Sequence, residues 1–205
     1  MRPRHLVHSF VILVFASLAA PVAAAEPLGS PSSFVAEIAR KAPIFMNSSA
    51  LSSGDRRRQV EGLLQENFDM PRIARVILGN YWRTANVAHQ REFITVLRAV
   101  LAFTYSDRFT RYNVESFRVV SQRELDAANT VVYTEINDPV LEEQTKLEWL
   151  VARRDGYRII DIIVSGTSMT RLMHDDFGSY LQRNDGDLSK LIHELRAKLN
   201  AGPPD

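Results

Sequence analysis

The stretch YRIIDIIVSGTSM, Tyr157–Met169, decides between a strand in a covered sheet and an active-site turn. From Ile159 to Val164 apolar side chains occupy both the odd and the even positions, and only Asp161 interrupts the run. Such a pattern is typical of a central strand that is covered on both faces. The next four residues, SGTS, break the apolar run. We therefore predict a covered central strand that ends in a turn.

Further strands are predicted upstream of this stretch. After Tyr112 the hydrophobic period changes from about 3.6 residues to about 2. The alternating segments are Val114–Val120, Thr130–Asn137 and Thr145–Arg153. Together with Tyr157–Val164 they predict a four-stranded sheet. Short polar turns such as Arg154–Gly156 favour antiparallel neighbours.

Helical periodicity precedes and follows these strands. Asp69 is placed to cap a short helix that Gly79 ends in a left-handed conformation. The longest apolar stripe spans Asn86–Tyr112, and Ser168 or Thr170 is placed to cap a later helix. Helices on both sides of a block of strands predict an α+β fold. We expect a curved antiparallel sheet covered by N- and C-terminal helices.

The first 25 residues are predicted to be an export signal. A basic start with Arg2 and Arg4 precedes the apolar stretch Leu6–Ala20, and Ala23–Ala25 supplies small residues for cleavage. We predict a signal peptide at residues 1–25 and one soluble domain at 26–205. Without Arg2 and Arg4 the chain has 23 basic and 24 acidic side chains, a balance that argues against nucleic acid as a partner. The absence of cysteine excludes disulfides and thiol chemistry.

The polar residues around the opening stretch allow more than one interpretation. Ser168 lacks the second glycine of a G-x-S-x-G nucleophile turn, so a helix cap explains it better. Asp161 is either a general base in a pocket or a carboxylate held by an arginine or backbone donors, which ties the sheet to a helix. His174, Asp175 and Asp176 are adjacent on a helix and point about 100° apart, so no metal site is predicted.

Three stretches, taken in order, carry a family resemblance. They are F-D-M-x-R-I-A-R-x-I-L-G-x-Y-W from Phe68 to Trp82, F-x-x-x-L-x-x-x-L-x-x-T-Y from Phe93 to Tyr105, and YRIIDIIVSGTSM from Tyr157 to Met169. Together they resemble the MlaC family of periplasmic phospholipid-binding proteins, also called toluene-tolerance auxiliary proteins. The stretch Met169–Phe177 departs from the family pattern, which leaves the cargo open between a phospholipid and a hopanoid-like polycycle of the HpnM-like branch.

The resemblance implies an NTF2-like sheet wrapped by helices around a hydrophobic pocket for lipid. It implies a periplasmic carrier that moves lipid between an inner-membrane ABC transporter with its lipid-transfer subunit and an outer-membrane lipoprotein complex. We expect a monomer that is not an enzyme and that needs no cofactor.

The residues predicted to line the pocket are apolar or aromatic. A solid core uses the same residue types, so each of them also fits ordinary packing. They are Leu97, Leu101 and Tyr105 from the long helix, Leu147, Trp149 and Val151 from the third strand, Ile160, Ile162, Met169 and Met173 around the fourth, and Tyr81 and Trp82 at one end.

Two other classes of function remain open at this point. NTF2-like cavities also host isomerases and dehydratases, and Asp161 would then be the general base, aided by Tyr105 or Tyr133. A structural adaptor in the cell envelope is the third class. Ligand content distinguishes a carrier from an adaptor, and turnover that is lost in Asp161→Asn would indicate the enzyme.

Overall fold

The computed structural model describes residues 29–46, 48, 50–106, 116–137 and 144–201. The predicted signal peptide at residues 1–25 lies outside these described residues, as does the end of the helix predicted to reach Tyr112. In this part of the chain, no helix has both the length and the apolar composition that a bilayer crossing requires.

The described chain runs from helices through a block of strands to helices. The first helices are α1 (Pro31–Met46), α2 (Ser53–Asn67), α3 (Met70–Leu78), α4 (Asn80–Thr84) and α5 (Val87–Ser106). The strands are β1 (Arg118–Asp126), β2 (Asn129–Asn137), β3 (Gln144–Arg154), β4 (Gly156–Val164) and β5 (Thr167–Ser168). The last helices are α6 (Met169–Arg183) and α7 (Leu188–Ala201). The α+β class predicted from the sequence is confirmed.

The sheet is antiparallel, with strands in the order β1-β2-β3-β4-β5. It has five strands in the described part of the chain, so the prediction of four was wrong. The fifth strand is a two-residue segment after the turn at Ser165 and Gly166. Two residues are too short to give a periodic signal, which is why the sequence did not reveal it.

Strand β1 begins and ends later than predicted. It covers Arg118–Asp126, whereas the sequence pattern indicated Val114–Val120. Residues 120–126 are all exposed, and the register with β2 shifts between Val119 and Ser121 and again between Glu124 and Asp126. Val119 is the one partly buried residue of this edge strand, and the register shifts twice, so alternation does not mark where the strand ends.

Local chemistry sets the ends of α3 as the sequence predicts. The Asp69 side chain accepts a hydrogen bond of 3.0 Å from the backbone N–H of Arg72 and caps the helix. Gly79 ends α3 with φ +51°, in the region that favours glycine. An added Cβ at Gly79 would lie 3.0 Å from Cε1 of His174, so glycine also permits the close approach of α3 and α6.

The helices α2, α3, α5, α6 and α7 share one apolar core. Phe93 is fully buried there and meets Phe177 edge to face, with 6.1 Å between the ring centroids. Leu97 and Leu181 are also fully buried in this core. Burying a side chain of this size contributes roughly 1.5–3 kcal/mol. The helical layer is therefore stabilised by its own packing.

A second cluster joins α1 to the sheet. Val35 from α1 packs on Val132 of β2 and Val151 of β3, and all three are almost fully buried. The ring of Phe34 lies 5.8 Å from that of Tyr157. The backbone N–H of Asp69, between α2 and α3, donates 2.9 Å to the Ile159 carbonyl and links the helical layer to β4.

A β-bulge explains why β4 lacks alternation. Leu150 pairs with Asp161 while Val151 pairs with Ile159, so Ile160 is an extra residue in β4. Ile159 and Ile162, on the two sides of this bulge, pair with Val151 and Trp149 and therefore lie on the same face of the sheet, although three residues separate them.

Candidate functional site

One face of the sheet carries a continuous row of apolar side chains. Val132, Trp149 and Ile162 are register partners across β2, β3 and β4, and partners point to the same face. Leu147 and Val164 pair one step further along. We call this the α1-side face, because Val35 of α1 packs on it.

The α1-side face is covered unevenly by the described residues. Val132 and Val151 are 0% and 1% exposed where α1 lies over them. Leu147, Trp149 and Ile162 are half-buried. Large apolar side chains that are half-buried in one contiguous row are typical of a surface that meets a ligand or another element.

The indole of Trp149 on this face has an internal hydrogen-bond partner. The indole N–H of Trp149 donates a hydrogen bond of 2.9 Å to the hydroxyl of Thr134, which is itself 1% exposed. The ring of Phe117 meets Trp149 nearly edge to face, at 6.4 Å between centroids. An aromatic surface whose donor is satisfied loses no hydrogen bond when it contacts hydrocarbon.

The last turn of α5 approaches the start of α6 beside this sheet. The hydroxyl of Tyr105 lies 3.9 Å from the sulfur of Met169, the first residue of α6. Met169 directly follows β5, which pairs with Ile163 and Val164 at the end of β4. Leu101 lies one helical turn before Tyr105 and packs half-buried against the helical core.

The structure thus brings together part of the predicted lining. Leu147, Trp149, Val151 and Ile162 share the α1-side face, and Tyr105 meets Met169. The remaining candidates lie elsewhere, as follows. Leu97 is enclosed in the helical core, and Met173 and Trp82 pack half-buried against that core. Tyr81 lies against Gly186 in the turn before α7. Ile160 borders a cleft between α3 and α6.

Several residues at this face were not predicted as site residues from the sequence. They are Thr134, Phe117 and Val119, and Phe34 of α1, which packs against the same cluster. Thr134 belongs to the alternating pattern of the predicted second strand. A threonine in an apolar row is a signal that a neighbouring donor needs an acceptor. Its partner Trp149 lies on another strand, and only the register identifies it.

Asp161 is held by a set of hydrogen-bond donors. Its Oδ1 accepts from the backbone N–H of Ile162 at 2.8 Å and of Thr170 at 3.1 Å, and its Oδ2 accepts from the Ser168 hydroxyl at 2.5 Å. The Ser168 hydroxyl also accepts from the Arg171 N–H at 3.0 Å and caps α6. Both residues join β4 to the start of α6 through these hydrogen bonds, as their structural interpretation expects.

A cleft borders Asp161 on the other face of the sheet. The cleft has a volume of about 430 Å³ and lies between α3, α6 and the sheet. Its lining residues are Arg72, Val76, Leu150, Ile160, Asp161, Ser168, Thr170, Arg171 and His174. Because adjacent strand residues point to opposite faces, Asp161 faces this cleft while Ile162 lies on the α1-side face.

His174 packs between two helices and is half-buried. Its Nδ1 lies 2.9 Å from the Ile77 carbonyl, and a carbonyl only accepts, so Nδ1 carries the proton. Among the residues that the structure describes, no three His, Cys, Asp or Glu side chains are grouped as metal ligands.

Helices flank a curved antiparallel sheet, and one face of that sheet is an apolar surface that the helices cover only in part. These features define an α+β protein with an apolar sheet face. The family model described as MlaC protein matches residues 44–197, and the chain belongs to the MlaC family. No curated protein matches the chain in sequence. A similar solved structure is a phospholipid-binding protein from Ralstonia solanacearum in complex with a phospholipid. It has a TM-score of 0.71 and 16% sequence identity, and the match covers 84% of this chain and 98% of that one.

Proposed function

We propose that the protein is a lipid carrier that holds hydrocarbon against the α1-side face. The observation that carries this proposal is the half-buried apolar row of Leu147, Trp149 and Ile162, next to a helical layer that has its own separate core. Membership in the MlaC family and the phospholipid bound to the similar Ralstonia protein support the same class of ligand.

The energetics of lipid transfer explain why such a protein needs an apolar cavity. A two-chain lipid has roughly 30 methylenes, and exposing them to water costs on the order of 24 kcal/mol at about 0.8 kcal/mol each. A carrier replaces the bilayer by an apolar surface and requires no catalytic residue.

The same energetics predict that the cavity is occupied. An empty dry cavity of about 1,000 Å³ costs about 24 kcal/mol at about 24 cal/mol per Å³. That exceeds the roughly 5–15 kcal/mol of total stability of a typical domain. The protein is therefore expected to purify with lipid bound, or to narrow its cavity when the lipid is removed.

The finer features of the function follow from the family resemblance and are part of this proposal. Residues 1–25 direct the chain to the periplasm, and residues 26–205 form one lipid-binding domain of the NTF2-like kind. The monomer exchanges lipid with an inner-membrane ABC transporter complex and an outer-membrane lipoprotein complex. The cargo is a phospholipid or a hopanoid-like lipid, and the remaining predicted lining residues contact it.

The enzymatic alternative requires Asp161 to act as a general base. Both of its carboxylate oxygens already accept hydrogen bonds, from two backbone N–H groups and from Ser168. Asp161 also faces the cleft rather than the α1-side face. Three hydrogen bonds within the fold account for Asp161 without a substrate, so the geometry supports the carrier over the enzyme.

Two adjacent isoleucines provide a matched test of the carrier. Ile162 and Ile163 are both half-buried in β4, and they point to opposite faces of the sheet. Ile162→Lys places a charge on the α1-side face, whereas Ile163→Lys places it opposite Glu148, its register partner, on the other face. We expect Ile162→Lys to lose bound lipid and to stop uptake of fluorescent phospholipid from vesicles.

Ile163→Lys is expected to retain lipid binding. Circular dichroism and urea unfolding establish that both variants are folded before lipid is extracted and measured by mass spectrometry. If the two folded variants retain lipid equally, the α1-side face is not the lipid-binding surface.

A further inference from the structure

The cleft between α3 and α6 is not used by the proposed lipid site. Leu150 and Asp161 are register partners and both line the cleft, whereas Trp149 and Ile162 pair on the α1-side face. The two surfaces thus lie on opposite sides of β3 and β4. A molecule in the cleft would leave the α1-side face accessible to cargo.

The floor of the cleft is apolar. Ile160 is 6% exposed at the bottom, and Leu150 is half-buried beside it. At the rim, Val76 of α3 is 51% exposed. Leu172 of α6 follows the lining residue Arg171 in sequence and is 48% exposed. These are two of the most exposed large apolar side chains in the described part of the chain. Exposed apolar side chains around a concave surface are typical of a contact site.

The charged rim of the cleft is basic. Arg72 and Arg171 are exposed at the third positions of α3 and α6. Among the described residues Arg72 makes no ion pair, although it lies close enough to the Asp126 carboxylate to interact with its charge, and Arg171 pairs at 3.3 Å with the exposed Asp175 of its own helix. The carboxylate inside the cleft, Asp161, is already bound by three donors. The charged side chains that line the rim and that an incoming group meets are therefore Arg72 and Arg171.

We propose that the cleft is a docking site for an acidic segment of a partner protein, with one apolar side chain of that segment seated on Leu150 and Ile160. The basic rim complements acidic residues on both sides of the apolar one. A single side chain of a protein segment reaches the recessed apolar floor between α3 and α6, whereas a bilayer surface does not. The proposal does not depend on which lipid the protein carries.

A phage-displayed library of random octapeptides tests this site without a known partner. Selection on the full mature protein is expected to enrich peptides with one large apolar residue between acidic residues. An enriched peptide, made synthetically, is expected to shift the methyl resonances of Val76, Leu150 and Ile160. Its affinity should fall as salt is raised, because the rim charges are exposed.

Three matched charge reversals identify the surface. Arg72→Glu, Arg171→Glu and the control Lys190→Glu each change the third position of a helix, where glutamate is favourable, so folding is preserved. We expect the first two to weaken the peptide by about tenfold each, and the control on α7 to leave its affinity unchanged. Bound lipid, measured by mass spectrometry, is expected to be the same in all three.

Three results would overturn the proposal. They are a selection that enriches no acidic and apolar consensus, a peptide whose affinity is insensitive to Arg72 and Arg171, and methyl shifts outside the cleft. Sedimentation with anionic phospholipid vesicles that depends on Arg72 and Arg171, without peptide binding, would assign the surface to a membrane instead. Loss of lipid in the Ile162→Lys test concerns the other face and is independent of each of these results.

Discussion

Replacing Asp161 should destabilise the fold, because its carboxylate holds β4 and α6 together. The Asp161→Ala variant loses an acceptor for Ile162 N–H, Thr170 N–H and the Ser168 hydroxyl. Hydrogen bonds to charged groups contribute about 1.5–3 kcal/mol each. Asp161 is half-buried, so water replaces part of these hydrogen bonds in the variant. We therefore expect Asp161→Ala to lower the free energy of unfolding by about 2–4 kcal/mol. Asparagine keeps one acceptor oxygen and should cost about 1–2 kcal/mol.

Urea unfolding followed by circular dichroism measures these losses. A double-mutant cycle with Ser168→Ala should give a coupling energy of about 1 kcal/mol, because the two side chains share a hydrogen bond of 2.5 Å. Asp155→Asn, in the exposed turn before β4, is the control and should change stability by less than about 0.5 kcal/mol. If Asp161→Ala is as stable as wild type and shows no coupling to Ser168, the carboxylate does not hold β4 and α6 together.

Other positions give further expectations. Gly79→Ala should cost about 1–3 kcal/mol in urea unfolding, because φ is +51° and the new Cβ meets His174 at 3.0 Å; wild-type stability would contradict this. Thr134→Val removes the acceptor of a buried indole N–H and should lower stability by about 1–3 kcal/mol and blue-shift or broaden the tryptophan emission; an unchanged spectrum and stability would count against it. Hydrogen bonding from the Lys190 backbone N–H lowers the pKa of Asp187 below 3.8, so Asp187 stabilises the fold above that pH. The melting-temperature difference between wild type and Asp187→Ala should therefore be largest near neutral pH and shrink as the pH falls below 3.8. A difference that does not depend on pH would argue against this stabilising role of the Asp187 carboxylate.

The helix ends and the order of elements were predictable because their causes are local. Asp69, Gly79 and Ser168 act within a few residues of themselves, by capping or by positive φ, and each lies where the sequence places it. The prediction of helix α5 began at Asn86, one residue before the observed start. The five-residue helix α4 was missed, since its N-terminus has no side-chain cap.

The site was less predictable because it depends on register. Periodicity assigned Leu147, Trp149 and Val151 to one face, as the pairing requires. In β4 the bulge at Ile160 interrupts the alternation, so Ile160 borders the cleft while Ile162 lies on the α1-side face. A bulge is set by two strands together, and the sequence of one strand does not reveal it.

The cleft itself has no signature in the sequence. Arg72, Leu150 and His174 are brought together from α3, β3 and α6, and no motif joins them. His174 is half-buried, whereas its neighbours Asp175 and Asp176 on α6 are exposed. Its ring is half-buried because the Ile77 carbonyl at the end of α3 accepts its Nδ1–H.

The lipid content of the purified protein tests the central claim most directly. The mature chain is purified without detergent, extracted with organic solvent and analysed by quantitative mass spectrometry. We predict near-stoichiometric phospholipid or hopanoid-like lipid that is lost in Ile162→Lys. A folded wild-type protein that carries no lipid and takes none up from vesicles would contradict the assignment of the α1-side face as a hydrocarbon-binding surface.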